Sequence, residues 1–171
     1  MSDDPAKAPD VASIDWASWQ PRDHATLLFA ITDGQVLLMR KKRGLGQGKI
    51  NAPGGRLEPG ETARQAAIRE VEEELCVRAT GVTYAGEHHF QFRDGYSMHV
   101  AVFRATGYEG TPQETDEAIP LVVSVDAIPY EEMWADDPHW IPHLLAGERF
   151  CSWSIFDGDE MVDWRLELQP G

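Results

Sequence analysis

The sequence predicts an α+β fold built on a largely antiparallel sheet. Three observations predict it. Asp33-Gly34, Asp94-Gly95 and Asp157-Gly158 each sit between strand-like runs, and Asp-Gly supplies the positive φ values of tight hairpin turns. Residues 62–75 carry apolar residues at helical period. A second, shorter helical pattern follows near residues 140–147.

Residues 1–23 are rich in Asp, Ala and Pro and read as a flexible N-terminal extension, with residues 24–171 as one domain. Ile14, Trp16 and Trp19 are apolar enough to dock on a core edge. The first hairpin joins residues 25–31 to 35–40, the second joins VTYAGEHHFQF to YSMHVAVFRA, and the third joins RFCSWSIF to MVDWRLEL. The first helix opens with Thr62 and Gln65 at capping-box spacing and buries Ala67, Ile68, Val71 and Leu75 on one side. Its end is less sharply marked, because Cys76 replaces the glycine that takes a left-handed cap without strain; keeping that conformation would cost about 1 kcal/mol at most. The second helix, from Trp140 to Gly147, is expected to hold Pro142 in its first turn.

Composition narrows the function classes. The 171 residues carry a formal net charge of −14. That excess disfavours nucleic acid or an anionic membrane as partner, because such binding draws on Lys and Arg. A small polyphosphate stays compatible if metal ions mask charge locally. Cys76 and Cys151 make no disulfide framework. No apolar run approaches a membrane span, and no basic, apolar leader opens the chain. A monomer in the cytoplasm is the default expectation.

The most informative stretch is GGRLEPGETARQAAIREVEEELCV, residues 54–77. At about 100° per residue, Glu74 lies about 40° and Glu73 about −60° from Glu70, so three carboxylates share one helical face. Like charges at this spacing weaken a bare helix, and an oxygen-binding dication offsets the repulsion. A solvated acidic face is the bland alternative. The glycine loop upstream and Arg69 beside the acids argue for metal.

The stretch fits Gly-x5-Glu-x7-Arg-Glu-U-x-Glu-Glu-x-Gly-U, with U aliphatic, apart from Cys76 at the last glycine. The chain therefore resembles a Nudix hydrolase. That resemblance implies an α/β/α sandwich with a mixed, largely antiparallel sheet. It also implies magnesium, with manganese as a substitute, held by Glu70, Glu73, Glu74 and the Gly54 carbonyl. Arg69 and Glu61 would orient the glutamates, and Glu74 would take the proton of the attacking water. A metal of this kind acidifies water and clamps phosphoryl oxygens during in-line displacement.

The flanks KKRGLGQGKINAPGG, GTPQETDEAIP and DAIPYEEMWADDPHWIPHLL are similar to one branch, the oxidised purine nucleoside triphosphatases of the 8-oxo-dGTP diphosphatase type. By that resemblance Asn51 would bond the purine edge and Trp134 would stack on the ring. Phe90, Phe92 and Met98 would form walls, and Asp136 and Asp137 would read the base. Thr26 and Lys41 would lie nearby, and Glu117 would be a further metal ligand or competing base. Two adjacent carboxyls in an apolar pocket share a proton, and the neutral one can donate a hydrogen bond. The chain departs from the branch at Ile50, Ala52-Pro53 and Leu45.

Other readings stay open at this point. Asp136-Asp137-Pro138 also reads as a turn with Asp137 capping the helix. Phe90, Phe92 and Met98 also read as core at strand period. Lys41-Lys42-Arg43 reads as solvated or as meeting a triphosphate. His88 and His89 lack a second ligand pair at zinc spacing and read as solvated or core, and Cys151 reads as a small core residue.

Overall fold

The computed structural model describes residues 4–170. Among them run β1 (Asp23–Thr32), β2 (Gln35–Lys41), β3 (Ile50–Asn51), α1 (Ala63–Leu75), β4 (Arg78–Thr80), β5 (Thr83–Phe92), β6 (Ser97–Ala105), β7 (Gly107–Glu109), β8 (Ala118–Ser124), α2 (Asp137–Leu145), β9 (Arg149–Asp157) and β10 (Glu160–Gln169). The main sheet runs β10-β9-β5-β6-β1-β2, with β3 and β8 both paired to β2, and β4 with β7 form a separate two-stranded ribbon. The β1/β6 and β5/β9 pairs are parallel and the others antiparallel. The sheet is thus mixed and largely antiparallel.

Strand period two divides the core into two halves. Phe29, Val36 and Leu38 point to one face and pack with Trp140, Ile141 and Leu144 of α2. Their neighbours Leu28, Leu37 and Met39 point to the other and pack with Ala67, Val71 and Leu75 of α1. The result is the α/β/α sandwich, with each such side chain contributing about 1.5–3 kcal/mol through burial.

The Asp33-Gly34 turn has φ of 52° and 73°, the two-residue geometry its sequence predicts. The second hairpin turns through a longer loop around Asp94-Gly95. In the third, Asp157 is still strand, and Gly158, with φ 58°, opens the two-residue turn instead.

β1 pairs with β2 only near the hairpin, over Ala30, Ile31 and Thr32. Farther back the two strands part, and the segment after β3 fills the gap. The Thr26 N–H donates to Gly55 O at 2.9 Å, the Leu28 N–H to Pro53 O at 2.9 Å, and the Leu57 N–H to His24 O at 3.0 Å. This wedge places the glycine loop in the plane of the sheet, facing α1.

Two expectations change. The second helix spans Asp137–Leu145, so Pro138 occupies its first turn and Pro142 lies inside it. Pro138 supplies the pre-set φ at the position where a missing N–H costs nothing. The segment read as flexible is laid down from residue 4 onward; residues 1–3 lie outside the described residues. Ala8, Val11 and Ile14 bury against Ile155, with Trp16, Trp19 and Trp153 around them. The Val11 N–H donates to Asp163 Oδ2 at 2.8 Å, and Arg93 Nη1 donates to Ala6 O at 3.2 Å. Apolar burial together with these bonds offsets the chain entropy that composition alone would favour.

Candidate active site

The acidic helix starts as its sequence dictates. Thr62 Oγ1 accepts from the Gln65 N–H at 3.1 Å and Gln65 Oε1 accepts from the Thr62 N–H at 2.9 Å, completing the capping box. The helix ends at Cys76, held left-handed at φ 64°. Its last carbonyls are taken by the following loop: the Gln113 N–H reaches Leu75 O at 3.0 Å and Thr115 Oγ1 reaches Glu74 O at 2.8 Å. That loop carries Glu117 back to the helix. Carboxylate oxygens of Glu70, Glu74 and Glu117 come within 4.8 Å of one another.

Glu74 is buried, and its Oε1 accepts from the Gly54 N–H at 2.9 Å. Burial pushes its carboxyl up to about 8, against the pull of the Gly54 bond and with help from Glu70 and Glu117. Burial also raises Glu70, opposed by Arg69. Arg69 grips Glu61 with Nε at 2.7 Å and Nη2 at 2.8 Å, and its Nη1 reaches Glu70 at 2.8 Å and Glu73 at 3.2 Å. The Arg69 bonds hold Glu61 down near about 2. Glu73 is half-exposed on this arginine and lies outside the trio; the helical face it shares with Glu70 and Glu74 does not bring it to the same point.

The glycines are forced by close approach. A Cβ on Gly54 would stand 1.8 Å from Thr26 O, and one on Gly55 2.5 Å from the Glu70 carboxyl carbon. Gly54 and Gly55 also border a cavity of about 460 Å³. Every residue expected to bind substrate lines it: Thr26, Lys41, Asn51, Phe90, Phe92, Met98, Trp134, Asp136 and Asp137. Trp134 stands edge-on to Phe92 and Phe156 at centroid distances of 6.2 and 5.6 Å, and Lys49 Nζ lies 5.2 Å over its ring. Asn51 Oδ1 is taken by the Ala52 N–H at 2.8 Å.

At the cavity end, Trp140 Nε1 donates to Asp136 Oδ2 at 2.9 Å and to Asp137 Oδ1 at 3.1 Å. Neither carboxyl caps α2 through a side-chain bond. Ala135 and Asp136 do form a turn ahead of the helix, so only the capping half of that alternative is not seen. Asp137 Oδ2 is buried and has no partner within the protein. Burial raises Asp136 to about 6, and burial with the neighbouring Asp136 raises Asp137 well above the usual carboxylate range.

Sequence reasoning missed Tyr96, Trp140 and Phe156 as lining residues. Trp140 was within reach, since it follows Asp136 and Asp137 at helical i+4 and i+3. Phe156 arrives only through the parallel β5/β9 register, which sets it opposite Phe92. His88 is core, fully buried 4.4 Å from Trp140, and burial lowers it to about 3.

The NUDIX domain model matches residues 21–144. The chain belongs to the Nudix family. This Nudix hydrolase is 42% identical over 144 residues to the oxidized purine nucleoside triphosphate hydrolase of Danio rerio, covering 83% of this chain and 92% of that one. To the same-named protein of Mus musculus it is 36% identical over 143 residues, covering 82% and 92%. The CTP pyrophosphohydrolase of Escherichia coli is 32% identical over 108 residues, 62% of this chain and 79% of that one. Among solved structures, the MutT protein of Bacillus halodurans superposes with a TM-score of 0.77 at 25% identity, covering 85% of this chain and 97% of that one. Among the described residues, no helix is long and apolar enough to cross a membrane.

Proposed function

We propose that this Nudix hydrolase cleaves oxidised purine nucleoside triphosphates of the 8-oxo-dGTP type to the monophosphate and pyrophosphate, with magnesium as cofactor. One observation carries the reading. The glycine loop that Glu74 and Glu70 touch also borders a cavity ended by a tryptophan and a buried pair of aspartates. A phosphate chain and a purine could occupy the two halves at once. The similarity to two oxidized purine nucleoside triphosphate hydrolases supports the substrate class.

The acidic trio suits a hard dication. Its donors are carboxylate oxygens, and mutual repulsion with burial holds Glu74 protonated when no cation is near. Glu70, Glu74 and Glu117 would hold magnesium, with Glu73 at the solvent side and the Gly54 carbonyl as a backbone ligand. When bound, the ion supplies charge neutralisation at the phosphate oxygens and Lewis acidity. The protein does the rest. Glu74 receives the proton of the attacking water. Arg69 and Glu61 fix the glutamate rotamers, and Lys41 meets the triphosphate.

The base end works by proton count. Asp136 and Asp137 share one proton, so one carboxyl donates and the other accepts. An oxidised purine exchanges donors and acceptors relative to its parent. A mismatched buried group costs about 1–3 kcal/mol, or roughly ten- to hundredfold in selectivity. Trp134 gives stacking that any purine accepts, and Asn51 offers its amide to the opposite edge. We take the enzyme to act as a cytoplasmic monomer on free nucleotides.

The test is pyrophosphate release with Mg²⁺ from 8-oxo-dGTP, dGTP and a dinucleoside polyphosphate. Preferred turnover of the first is expected. Preference for the last would move the substrate to another nucleotide class, and turnover of none would leave a nucleotide sensor.

A further inference from the structure

We propose that Glu87, His89 and His99 form a second cation site, for a divalent transition metal of the zinc class, on the α1-side face of the sheet. The sequence shows His88 and His89 as a bare pair. Strand alternation separates them: His88 turns into the α2 core, while His89 turns to the opposite face with Glu87. The antiparallel β5/β6 register then sets His99 directly across from His89. Ligand atoms of Glu87, His89 and His99 lie within 4.8 Å of one another, all three half-buried. No local spacing rule reveals this trio, since its members come from two strands.

The gap between His89 and Glu87 suits an ion better than a hydrogen bond. His89 Nδ1 is spent on Ser152 O at 2.9 Å, which fixes the tautomer and leaves the Nε2 lone pair facing Glu87. A backbone carbonyl on the far nitrogen is the usual support of a metal-bound imidazole. The gap from His89 Nε2 to Glu87 Oε1 is 3.9 Å, too long for a hydrogen bond. Two ligands on one tetrahedral zinc stand about 3.3 Å apart, given bonds near 2.0–2.1 Å, so modest closure suffices. His99 Nε2 lies 3.1 Å from Glu87 Oε2, and an ion takes the place of the proton between them. Cys151 Sγ donates to Glu87 Oε1 at 3.5 Å and lies 3.9 Å from His89 Nδ1, the nitrogen turned away from the ion, so it steadies Glu87 from outside the ligand trio.

The donor set selects the metal. Two imidazoles and a carboxylate suit zinc, cobalt or nickel, whereas magnesium prefers the all-oxygen trio of Glu70, Glu74 and Glu117. The surroundings hold the rings in place. Trp153 stacks on His89 at 5.4 Å with planes 8° apart, and Trp16 and Trp19 meet the same ring edge-on at 6.0 and 5.7 Å. A bound ion therefore cross-links β5 and β6 beside the N-terminal segment whose tryptophans pack on His89. The site is a structural brace, separate from hydrolysis.

The experiment uses the full chain, stripped with chelator and kept in excess Mg²⁺ to fill the acidic trio. Calorimetry with Zn²⁺ should show one equivalent bound. Free zinc a hundredfold above Kd should raise Tm by about 5–10 °C. His99→Gln and Glu87→Gln should each weaken zinc binding about tenfold or more while keeping the far-ultraviolet circular dichroism and Mg²⁺-dependent turnover of the parent. Co²⁺ should give a tetrahedral visible spectrum that His99→Gln removes. Glu70→Gln should leave the zinc affinity unchanged. No zinc uptake in Mg²⁺, uptake indifferent to His99→Gln, or uptake abolished by Glu70→Gln would each overturn the proposal.

Discussion

The backbone N–H of Gly54 donates to Glu74 Oε1 at 2.9 Å, joining the glycine loop to the helix across the one buried member of the acidic trio. This bond orients the carboxylate toward the glycine loop. Replacing Glu74 with Gln keeps an oxygen acceptor for Gly54 but removes the proton acceptor. We expect kcat to fall by about 10²–10⁴ with an unchanged far-ultraviolet spectrum. Near-parental turnover would remove Glu74 as the base.

Gly54→Ala and Gly55→Ala separate the two duties of the loop. The first drives a Cβ into backbone, 1.8 Å from Thr26 O, and the β1 wedge must open. A loss of about 1–3 kcal/mol is expected, read as a lowered urea midpoint. The second meets the Glu70 carboxyl group first, the end of a side chain that can shift at the expense of its Arg69 bond. It should cost little stability and weaken Mg²⁺ binding in calorimetry. Equal stability losses in both would contradict the geometry.

The Asp136–Asp137 pair predicts a pH signature. Burial raises both folded-state values, Asp136 from 3.8 to about 6 and Asp137 well above the usual carboxylate range. A raised value contributes stability that is complete below the unfolded value and lost as pH rises through the folded one. The Tm of the wild type, relative to Asp136→Asn, should therefore fall between about pH 4 and 7 and continue falling above. The same deprotonation removes the donor for the base. KM for 8-oxo-dGTP should rise over the alkaline part of that range in the wild type, and Asp136→Asn should lose 8-oxo-dGTP selectivity more than dGTP turnover. Equal loss on both nucleotides would mark Asp136 as structural.

Cys76→Gly tests the helix end. Cys76 sits at φ 64°, a region a Cβ disfavours, and its side chain is exposed. Glycine should stabilise the fold by about 1 kcal/mol, a rise in Tm of roughly 2–4 °C at this chain length. No rise would mean that glycine's unfolded-state entropy cancels the relieved strain.

The sequence alone determined the features whose cause is local. The capping box at Thr62, the Asp33-Gly34 turn and the shared helical face of Glu70 and Glu74 all follow from spacings within a few residues. The resemblance then supplied the sandwich and a cavity lining that the structure brings together. Tertiary structure alone decided what depends on strand pairing and burial. It bonded Thr26 to the glycine loop, set Phe156 opposite Phe92, turned both aspartates onto Trp140 instead of the helix cap, left Glu73 outside the trio, and split His88 from His89 to meet His99. Register between distant strands is fixed by the summed packing of two core layers, a quantity no local window of sequence contains.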